Sequence, residues 1–97
     1  MKYYILVRMS KRIDILKALA DPTRLDIVRK ILASEAATAG SEAATCSSLS
    51  QPAMSHHFSK LVAAGVLQCN KQGIHKYYRV DTAKLEAIGI DIVRFVK

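Results

Sequence analysis

A helical pattern that ends at a glycine and passes directly into two β-rich runs constrains the fold of this chain most. Residues 50–64 open with small polar side chains, and Gly65 follows as the preferred residue just past a helix end. Apolar side chains recur in this segment at helical spacing, at Met54, Phe58, Leu61 and Val62. Residues 66–70 and 74–80 are rich in strand formers, and the glycine in their connector, 71–73, predicts a hairpin.

Two helices are predicted near the N-terminus. The first spans about two to three turns and stops before Asp21. Its apolar face comprises Ile13, Leu16, Leu19 and Ala20. The second runs from Pro22 to about Ala33, because Asp21 is a good N-cap and proline fits the first helical position. Its apolar face comprises Leu25, Val28, Ile31 and Leu32, and its basic side chains are expected in solvent or near phosphate, at Arg24, Arg29 and Lys30.

A direct repeat separates these helices from the helix–hairpin unit, since residues 34–38 recur as residues 41–45. Two copies are too few for a solenoid, so we interpret the repeat as a local duplication that lengthened a connection. Ser34 and Ser41 are each suited to cap a short alanine-rich helix. The second copy is expected to lead into a helix over residues 41–47.

A last helix is expected after the hairpin, capped by Thr82 or Asp81, with an apolar stripe of Leu85, Ile88, Ile92 and Val96. Residues 1–9 are assigned to an N-terminal extension, either floppy or added to a sheet edge as a short strand. Residues 10–97 form a single domain. The predicted fold is mainly α with a β-hairpin, in the order α-α-α-α-β-β-α, which is a winged helix-turn-helix.

The charge pattern indicates a polyanionic partner. No acidic residue lies between Glu42 and Asp81, whereas this window holds Lys60, Lys71, Lys76, Arg79 and all three histidines. The net charge is +7 and the pI is near 9.7. The outward face of the helix over residues 50–64 is small, polar and free of acids, a shape suited to the major groove of duplex DNA. The predicted DNA-binding residues are Ser50, Gln51, Pro52, Ala53, Ser55, His56, Ser59, Lys60, Lys71, Gln72 and Lys76.

Other function classes find little support. The sequence lacks a G-x-S-x-G motif, a phosphate loop and a catalytic carboxylate pair, so no enzyme, metal site or cofactor is predicted. No apolar run approaches the ~20 residues that span a bilayer, and no membrane partner is expected. Two cysteines do not suggest a secreted disulfide scaffold, which favours a cytoplasmic protein.

Three motifs in order resemble the ArsR-type winged helix-turn-helix repressors. Residues 16–28 (LKALADPTRLDIV) look like the family's opening signature, and residues 49–58 (LSQPAMSHHF) look like its recognition-helix motif. Residues 61–67 (LVAAGVL), followed by a basic tip and residues 77–80 (YYRV), are similar to its wing. The resemblance covers roughly residues 13–80. It implies a homodimer joined by the first and last helices, which binds a palindromic operator and releases it when an inducer arrives.

The family's metal sites cannot be transferred to this chain. Members that sense arsenic, cadmium or lead through the third helix carry closely spaced cysteines there, where this chain has only Cys46. Members that sense zinc through the last helix place histidines on it, and residues 82–97 contain none. The inducer is therefore unknown. Cys46 is a candidate thiol sensor, although Cys46 and Cys69 also fit the description of small buried hydrophobes.

Several alternatives stay open. His56 is expected to contact DNA rather than simply add polarity, whereas His57 fits a structural hydrogen bond equally well. Gln51 either reaches an adenine edge or only occupies the first helical turn. Strand alternation places one of Tyr77 and Tyr78 in the core, which favours duplex over single-strand binding. The predicted dimer interface comprises Ile13, Leu16, Leu85, Ile88, Ile92 and Val96. The rival functions are a protein-interaction module without specific DNA binding and a thiol-redox-sensing repressor.

Overall fold

The computed structural model describes the backbone of residues 2–34, 38–39 and 51–96, and the side chains of residues 10–34 and 52–96. The helices in these ranges are α1 (Lys2–Leu19), α2 (Pro22–Ala33), α3 (Gln51–Ala64), α4 (Thr82–Ala87) and α5 (Ile92–Phe95). The strands are β1 (Thr38–Ala39), β2 (Leu67–Gln72) and β3 (His75–Val80), joined as one antiparallel sheet in the order β1-β3-β2. The prediction of a mainly helical chain with a β-hairpin is confirmed. The predicted helix over residues 41–47 lies outside the described residues.

The first helix differs from its prediction in length. α1 begins at Lys2, so residues 2–9 are helical and the expectation of a floppy segment or an edge strand is wrong. The division of the chain into an extension and a domain at residue 10 stays a prediction. The core-facing residues of α1 are Ile15, Ala18 and Leu19, whereas Ile13 and Leu16 are 46% and 55% exposed. Both sets fall at helical spacing, and only packing against the other helices selects the buried one.

The second helix has the predicted bounds and the predicted N-cap. The Oδ1 atom of Asp21 accepts a hydrogen bond of 3.0 Å from the backbone N–H of Arg24. At the other end, Ser34 is the C-cap, and its backbone N–H donates to the carbonyl oxygen of Ile31 at 3.1 Å. The short strand β1 follows and pairs with Tyr77 and Tyr78 of β3. Sequence analysis does not predict β1, because two residues leave no alternation pattern.

The helix–hairpin unit forms as predicted, with a tighter turn. α3 ends in a paired hydrogen-bond motif, in which Gly65 N–H donates to Val62 O at 3.0 Å and Val66 N–H donates to Leu61 O at 2.9 Å. Ser50 precedes this helix in the sequence and is of a residue type suited to an N-cap, but it lies outside the described residues. Lys71 and Gln72 belong to β2 rather than to the connector, because strand pairing continues to the Gln72–His75 pair. The turn is therefore limited to residues 73–74.

The predicted last helix is broken in two. Gly89 adopts a φ of +89°, its N–H donates to Glu86 O at 2.9 Å, and the N–H of Ile90 donates to Leu85 O at 2.9 Å. This motif ends α4, and α5 begins after it. Asp81, rather than Thr82, is the N-cap of α4, accepting from Lys84 N–H at 3.1 Å.

This break places most of the predicted last-helix stripe in the core of its own chain. Leu85 and Ile92 are 0% and 2% exposed, and Ile88 and Val96 pack against the same cluster while partly buried. The assignment of Leu85 and Ile92 to a subunit interface is thereby corrected, because their side chains are already covered. None of the described helices is long and apolar enough to cross a membrane.

Candidate nucleic-acid interface

The exposed side of α3 carries the predicted base-contacting residues. Met54, Phe58 and Leu61 are buried on the opposite side, and Phe58 stacks on Tyr78 of the sheet with ring centroids 4.5 Å apart. This packing turns five predicted site residues to solvent, namely Pro52, Ser55, His56, Ser59 and Lys60. Ala53 is half-buried. Ser50 and the side chain of Gln51 lie outside the described residues.

The hairpin places two lysines directly opposite each other. Lys71 of β2 pairs with Lys76 of β3, and both side chains are exposed, as is that of Gln72. Strand alternation puts the two lysines on the same face of the sheet as Tyr78, which is the face that α3 covers. Like charges directly opposite across a strand pair are destabilising. An anion bound between them relieves this repulsion, so the pair is suited to a phosphate.

The carboxyl group of Asp26 on α2 is engaged by basic side chains of the same helix. Asp26 forms ion pairs with Lys30 and Arg29, each at 2.6 Å, and these two hydrogen bonds lower the pKa of its carboxyl group. Among the described side chains, Lys60, Lys71 and Lys76 form no ion pair with an acid. Their charges are therefore available to an external anion.

A buried arginine anchors α3 from behind. The Nε atom of Arg24 donates to the carbonyl oxygen of Ala18, and its Nη2 atom donates to that of Lys17 at 3.3 Å. Its Nη1 atom lies 3.1 Å from Nδ1 of His57. Because a guanidinium has no acceptor, His57 must accept through Nδ1 and carry its ring proton on Nε2. The Oδ2 atom of Asp21 lies 3.9 Å from Nη1.

This arrangement decides two of the sequence-based interpretations. Arg24 is only 9% exposed, so the expectation that it lies in solvent or near phosphate is wrong. The structural hydrogen bond of His57 is confirmed. One guanidinium therefore joins the end of α1, the start of α2 and α3.

The match to a family decides the class of protein. Residues 19–69, more than half of the chain, match the family described as a helix-turn-helix domain. The chain belongs to this family. It is also 31% identical over 81 residues to an uncharacterized HTH-type transcriptional regulator of Methanocaldococcus jannaschii, which covers 84% of this chain and 90% of that relative.

Solved structures narrow the class further. An ArsR-like transcriptional regulator from Rhodococcus sp. RHA1 superposes with a TM-score of 0.66 and 27% identity, covering 92% of this chain and 89% of that one. The homodimeric winged helix-turn-helix DNA-binding domain of a possible ArsR-family regulator from Mycobacterium bovis has the same fold. Its TM-score is 0.72 at 24% identity, over 86% of this chain and 78% of that one. The prediction of an ArsR-type winged helix-turn-helix regulator is confirmed, and the protein is a DNA-binding transcriptional regulator.

Three side chains of the hairpin show what the sequence analysis missed, misplaced or left open. Ile74 at the hairpin tip is 94% exposed. Its position beside Gly73 in the turn is a signal that could have found it. Cys69 is a free, exposed thiol, which corrects its interpretation as a buried hydrophobe. Tyr78 is buried, as strand alternation requires of one of the two tyrosines, and this burial raises the pKa of its hydroxyl.

A metal centre requires several ligating side chains that converge on one point. The described residues contain no group of three or more His, Cys, Asp or Glu side chains that could hold a metal ion. Cys46, the candidate thiol sensor, lies outside the described residues.

Proposed function

We propose that this regulator is a dimeric repressor that binds a palindromic duplex-DNA operator and releases it when an inducer arrives. The observation that carries the proposal is the exposed, acid-free side of α3 next to the unpaired lysines of the hairpin. α3 enters the major groove, where Ser55, His56 and Ser59 contact base edges. Lys60, Lys71 and Lys76 contact phosphates and fix the register of the protein on the duplex.

The salt dependence of DNA binding tests this assignment. Each phosphate contact releases counterions, so affinity for an operator selected from a randomised duplex pool falls steeply with salt. Replacing Lys71 or Lys76 by Ala is expected to reduce the magnitude of the slope of log K against log salt by about one unit for each phosphate interaction removed per subunit. Arg29→Ala serves as the matched control, because Arg29 is paired with Asp26 and lies outside the proposed surface.

Two outcomes argue against the proposal. A slope unchanged by both lysine substitutions places the hairpin off the DNA. If the parent protein binds duplexes weakly and its affinity does not change with salt concentration, the rival function is favoured. That rival is a protein-interaction module whose charge is incidental.

The dimer is supported by the exposed apolar side of α1. Ile13 and Leu16 are half-exposed and lie on one flank of the helix, away from the core residues Ile15 and Leu19. The Mycobacterium bovis domain with the same fold is a homodimer. A second subunit packed along this flank gives a two-fold axis that matches a palindromic operator.

Sedimentation of surface variants tests the interface. Leu16→Asp is expected to yield folded monomers with weak operator binding, because a carboxylate placed in an apolar contact is left desolvated and unpaired. Ile74→Asp is the control for sedimentation, because Ile74 is also exposed but belongs to the hairpin turn rather than to the first or last helix. A Leu16→Asp protein that remains dimeric excludes this flank as the contact.

The inducer is proposed to act at a thiol rather than at the metal sites of the resembled family. Two cysteines per subunit are too few for a soft-metal thiolate site within one chain. Operator binding by the Cys46→Ser/Cys69→Ser double variant, measured with metals and oxidants, tests this. We expect release by oxidants to be lost in the double variant. Stoichiometric zinc or arsenite binding that still releases DNA from it contradicts the proposal.

A further inference from the structure

A cavity of about 240 Å³ lies between α1 and α3, near the C-terminal ends of both helices. Its apolar wall is formed by Ala18 of α1 and by Ala63 and Ala64 of α3. Each of these side chains is a single methyl group, so space remains between the two helices. The volume corresponds to about eight water molecules. It therefore suits a small metabolite rather than a drug-sized ligand.

Three cationic side chains line the same cavity. Lys17 of α1 and Lys60 of α3 are exposed, and neither forms an ion pair with an acid among the described side chains. The third is Arg24 of α2, which is 9% exposed. Asp14 of α1 is the acid among the lining residues. Three positive charges against one negative charge favour an anion in this cavity.

The buried guanidinium of Arg24 retains donors for such an anion. A guanidinium has five N–H groups, and the carbonyl oxygens of Ala18 and Lys17 and the ring of His57 accept from three of them. The Oδ2 atom of Asp21, 3.9 Å from Nη1, is beyond hydrogen-bond distance. Two N–H groups are thus left without an acceptor among the described residues. A buried donor without an acceptor is costly, so oxygen atoms of a bound ligand stabilise this side chain.

Asp14 restricts the kind of anion that fits. Its carboxylate forms no ion pair with the described side chains, and an ionised carboxylate can only accept hydrogen bonds. It repels a second negative group but accepts from a hydroxyl. The lining therefore matches a ligand whose anionic groups lie on Lys17 and Lys60 and whose hydroxyl group lies on Asp14.

We propose that this cavity binds a small hydroxylated dianion, either an organic acid or a phosphate ester, and that the bound ligand competes with operator DNA for Lys60. The inference rests on the proposed function, in which Lys60 contacts a phosphate, and it names the chemical class of an effector. A ligand that neutralises Lys60 removes one phosphate contact per subunit and weakens the complex with DNA. Cys69 is not among the lining residues, so this input is separate from the thiol response.

Calorimetric titration of the full chain with L-malate and with glycerol 3-phosphate tests the site. The two probes carry a hydroxyl on a dicarboxylate and on a phosphate ester, so binding of only one of them identifies the source of the anion. Succinate, which is malate without its hydroxyl, is expected to bind roughly tenfold more weakly than malate. Asp14→Ala should abolish this difference.

Lys17→Ala separates the cavity from the DNA-binding surface, because Lys17 is not one of the proposed DNA contacts. We expect it to weaken probe binding roughly tenfold. Lys11→Ala is the matched control, since Lys11 is also an exposed lysine of α1 but does not line the cavity. Its probe affinity should equal that of the parent.

Operator binding with and without saturating probe, at an ionic strength held constant with sodium chloride, tests the competition. The probe is expected to lower the operator affinity of the parent roughly tenfold, and operator DNA must lower probe affinity by the same factor. Lys17→Ala should bind the operator like the parent without probe and need more probe for release. Lys60→Ala should bind the operator more weakly without probe and no longer respond to it.

The outcomes distinguish this inference from the function on which it rests. A parent that binds neither probe saturably, or a Lys17→Ala protein that binds them as tightly as the parent, overturns the inference and leaves the proposed function intact. Probe binding that leaves operator affinity unchanged overturns the competition for Lys60. Probe binding that depends on Lys17, in a parent whose duplex affinity does not vary with salt, supports the site and overturns the proposed function.

Discussion

Two cationic regions of this regulator differ in whether their hydrogen-bond donors are bonded inside the chain. At the junction behind α3, Arg24 is 9% exposed, and its donors are directed at two carbonyl oxygens and at His57. At the hairpin, Lys71 and Lys76 are exposed and face each other without an acid. A cation whose donors are satisfied inside the chain stabilises the fold. A cation without a partner inside the chain is available to an external anion instead.

The same contrast holds for apolar side chains. Phe58 is buried against Tyr78, whereas Ile74 stands in solvent at the far end of the same hairpin. The comparison predicts that substitutions at the junction and core change the free energy of unfolding. Substitutions at the exposed side of α3 and at the hairpin tip should change DNA binding at constant stability.

The largest effect is expected for Phe58→Ala. Removing a buried aromatic ring leaves a cavity between α3 and the sheet and should lower the free energy of unfolding by about 3–5 kcal/mol. Chemical denaturation of the purified protein measures this value. Ile74→Ala is the control, because its side chain is 94% exposed and its removal should change stability by less than about 0.5 kcal/mol. Equal losses in the free energy of unfolding for Phe58→Ala and Ile74→Ala would contradict the proposed distinction between the core and the hairpin tip.

Arg24→Met is expected to follow, with a loss of roughly 2–4 kcal/mol, because the carbonyl oxygens of Lys17 and Ala18 then lose their donor inside the protein. Arg29→Met is the matched control. Arg29 is exposed and contributes only a surface ion pair with Asp26, so its loss should stay below about 1 kcal/mol. An Arg24→Met protein as stable as the control would show that the junction does not depend on the guanidinium.

His56→Ala should alter binding rather than folding. We expect specific operator affinity to weaken by about 1–3 kcal/mol while affinity for random duplexes changes little. The reason is the exposed position of His56 on the acid-free side of α3. Lys60→Ala, measured in parallel, should weaken both complexes equally. Equal losses for His56→Ala on specific and random DNA would reduce His56 to a phosphate contact.

The smallest effect concerns the pH dependence of stability at Asp21. The hydrogen bond from the backbone N–H of Arg24, and then the charge of Arg24, lower the pKa of this carboxyl group from 3.8. A lowered folded-state pKa means that the stabilisation is present above the unfolded-state value and is lost as the pH falls through the folded-state value. Stability of the parent should therefore decline below about pH 4, with this group contributing less than about 1 kcal/mol.

Asp21→Asn isolates that contribution, because asparagine also caps helices but does not titrate. Unfolding curves from pH 6 to pH 3 should show a smaller decline for Asp21→Asn than for the parent. Asp26 titrates in the same direction in both proteins, so its contribution cancels in the difference. Parallel curves would show that the charge at Asp21 adds nothing to the cap.

Cap and turn residues in the sequence correctly predicted the helices and strands whose ends they determine. Asp21 and Pro22 marked the start of α2, Gly65 marked the end of α3, and the glycine at position 73 marked the hairpin. Helix periodicity also assigned the exposed side of α3 correctly. Each of these features depends on residues within one turn of the chain, where cap and turn preferences dominate.

The missed features depend on contacts between distant segments. The burial of Arg24 requires the end of α1 and His57 of α3 to meet around it. Ile15 and Ala18, which α1 buries, were not singled out, because two apolar faces of this helix have the same helical spacing. The break at Gly89 was hidden by a regular apolar stripe that continues across it, from Leu85 to Ile92. The proposed contacts of the DNA-binding residues with the duplex remain predictions.

The pairing of β1 with β3 fixes one end of the connection that carries the duplicated sequence. Thr38 and Ala39 are held at the hairpin, and α3 begins at Gln51, so residues 40–50 connect two anchored points. The first copy of the repeat ends at Thr38, the first residue of β1, whereas the second copy, residues 41–45, lies entirely between the two anchors. Closure entropy between fixed ends grows slowly with length, by about 0.6 kcal/mol per doubling in the flexible limit, so it offers little resistance to an inserted second copy.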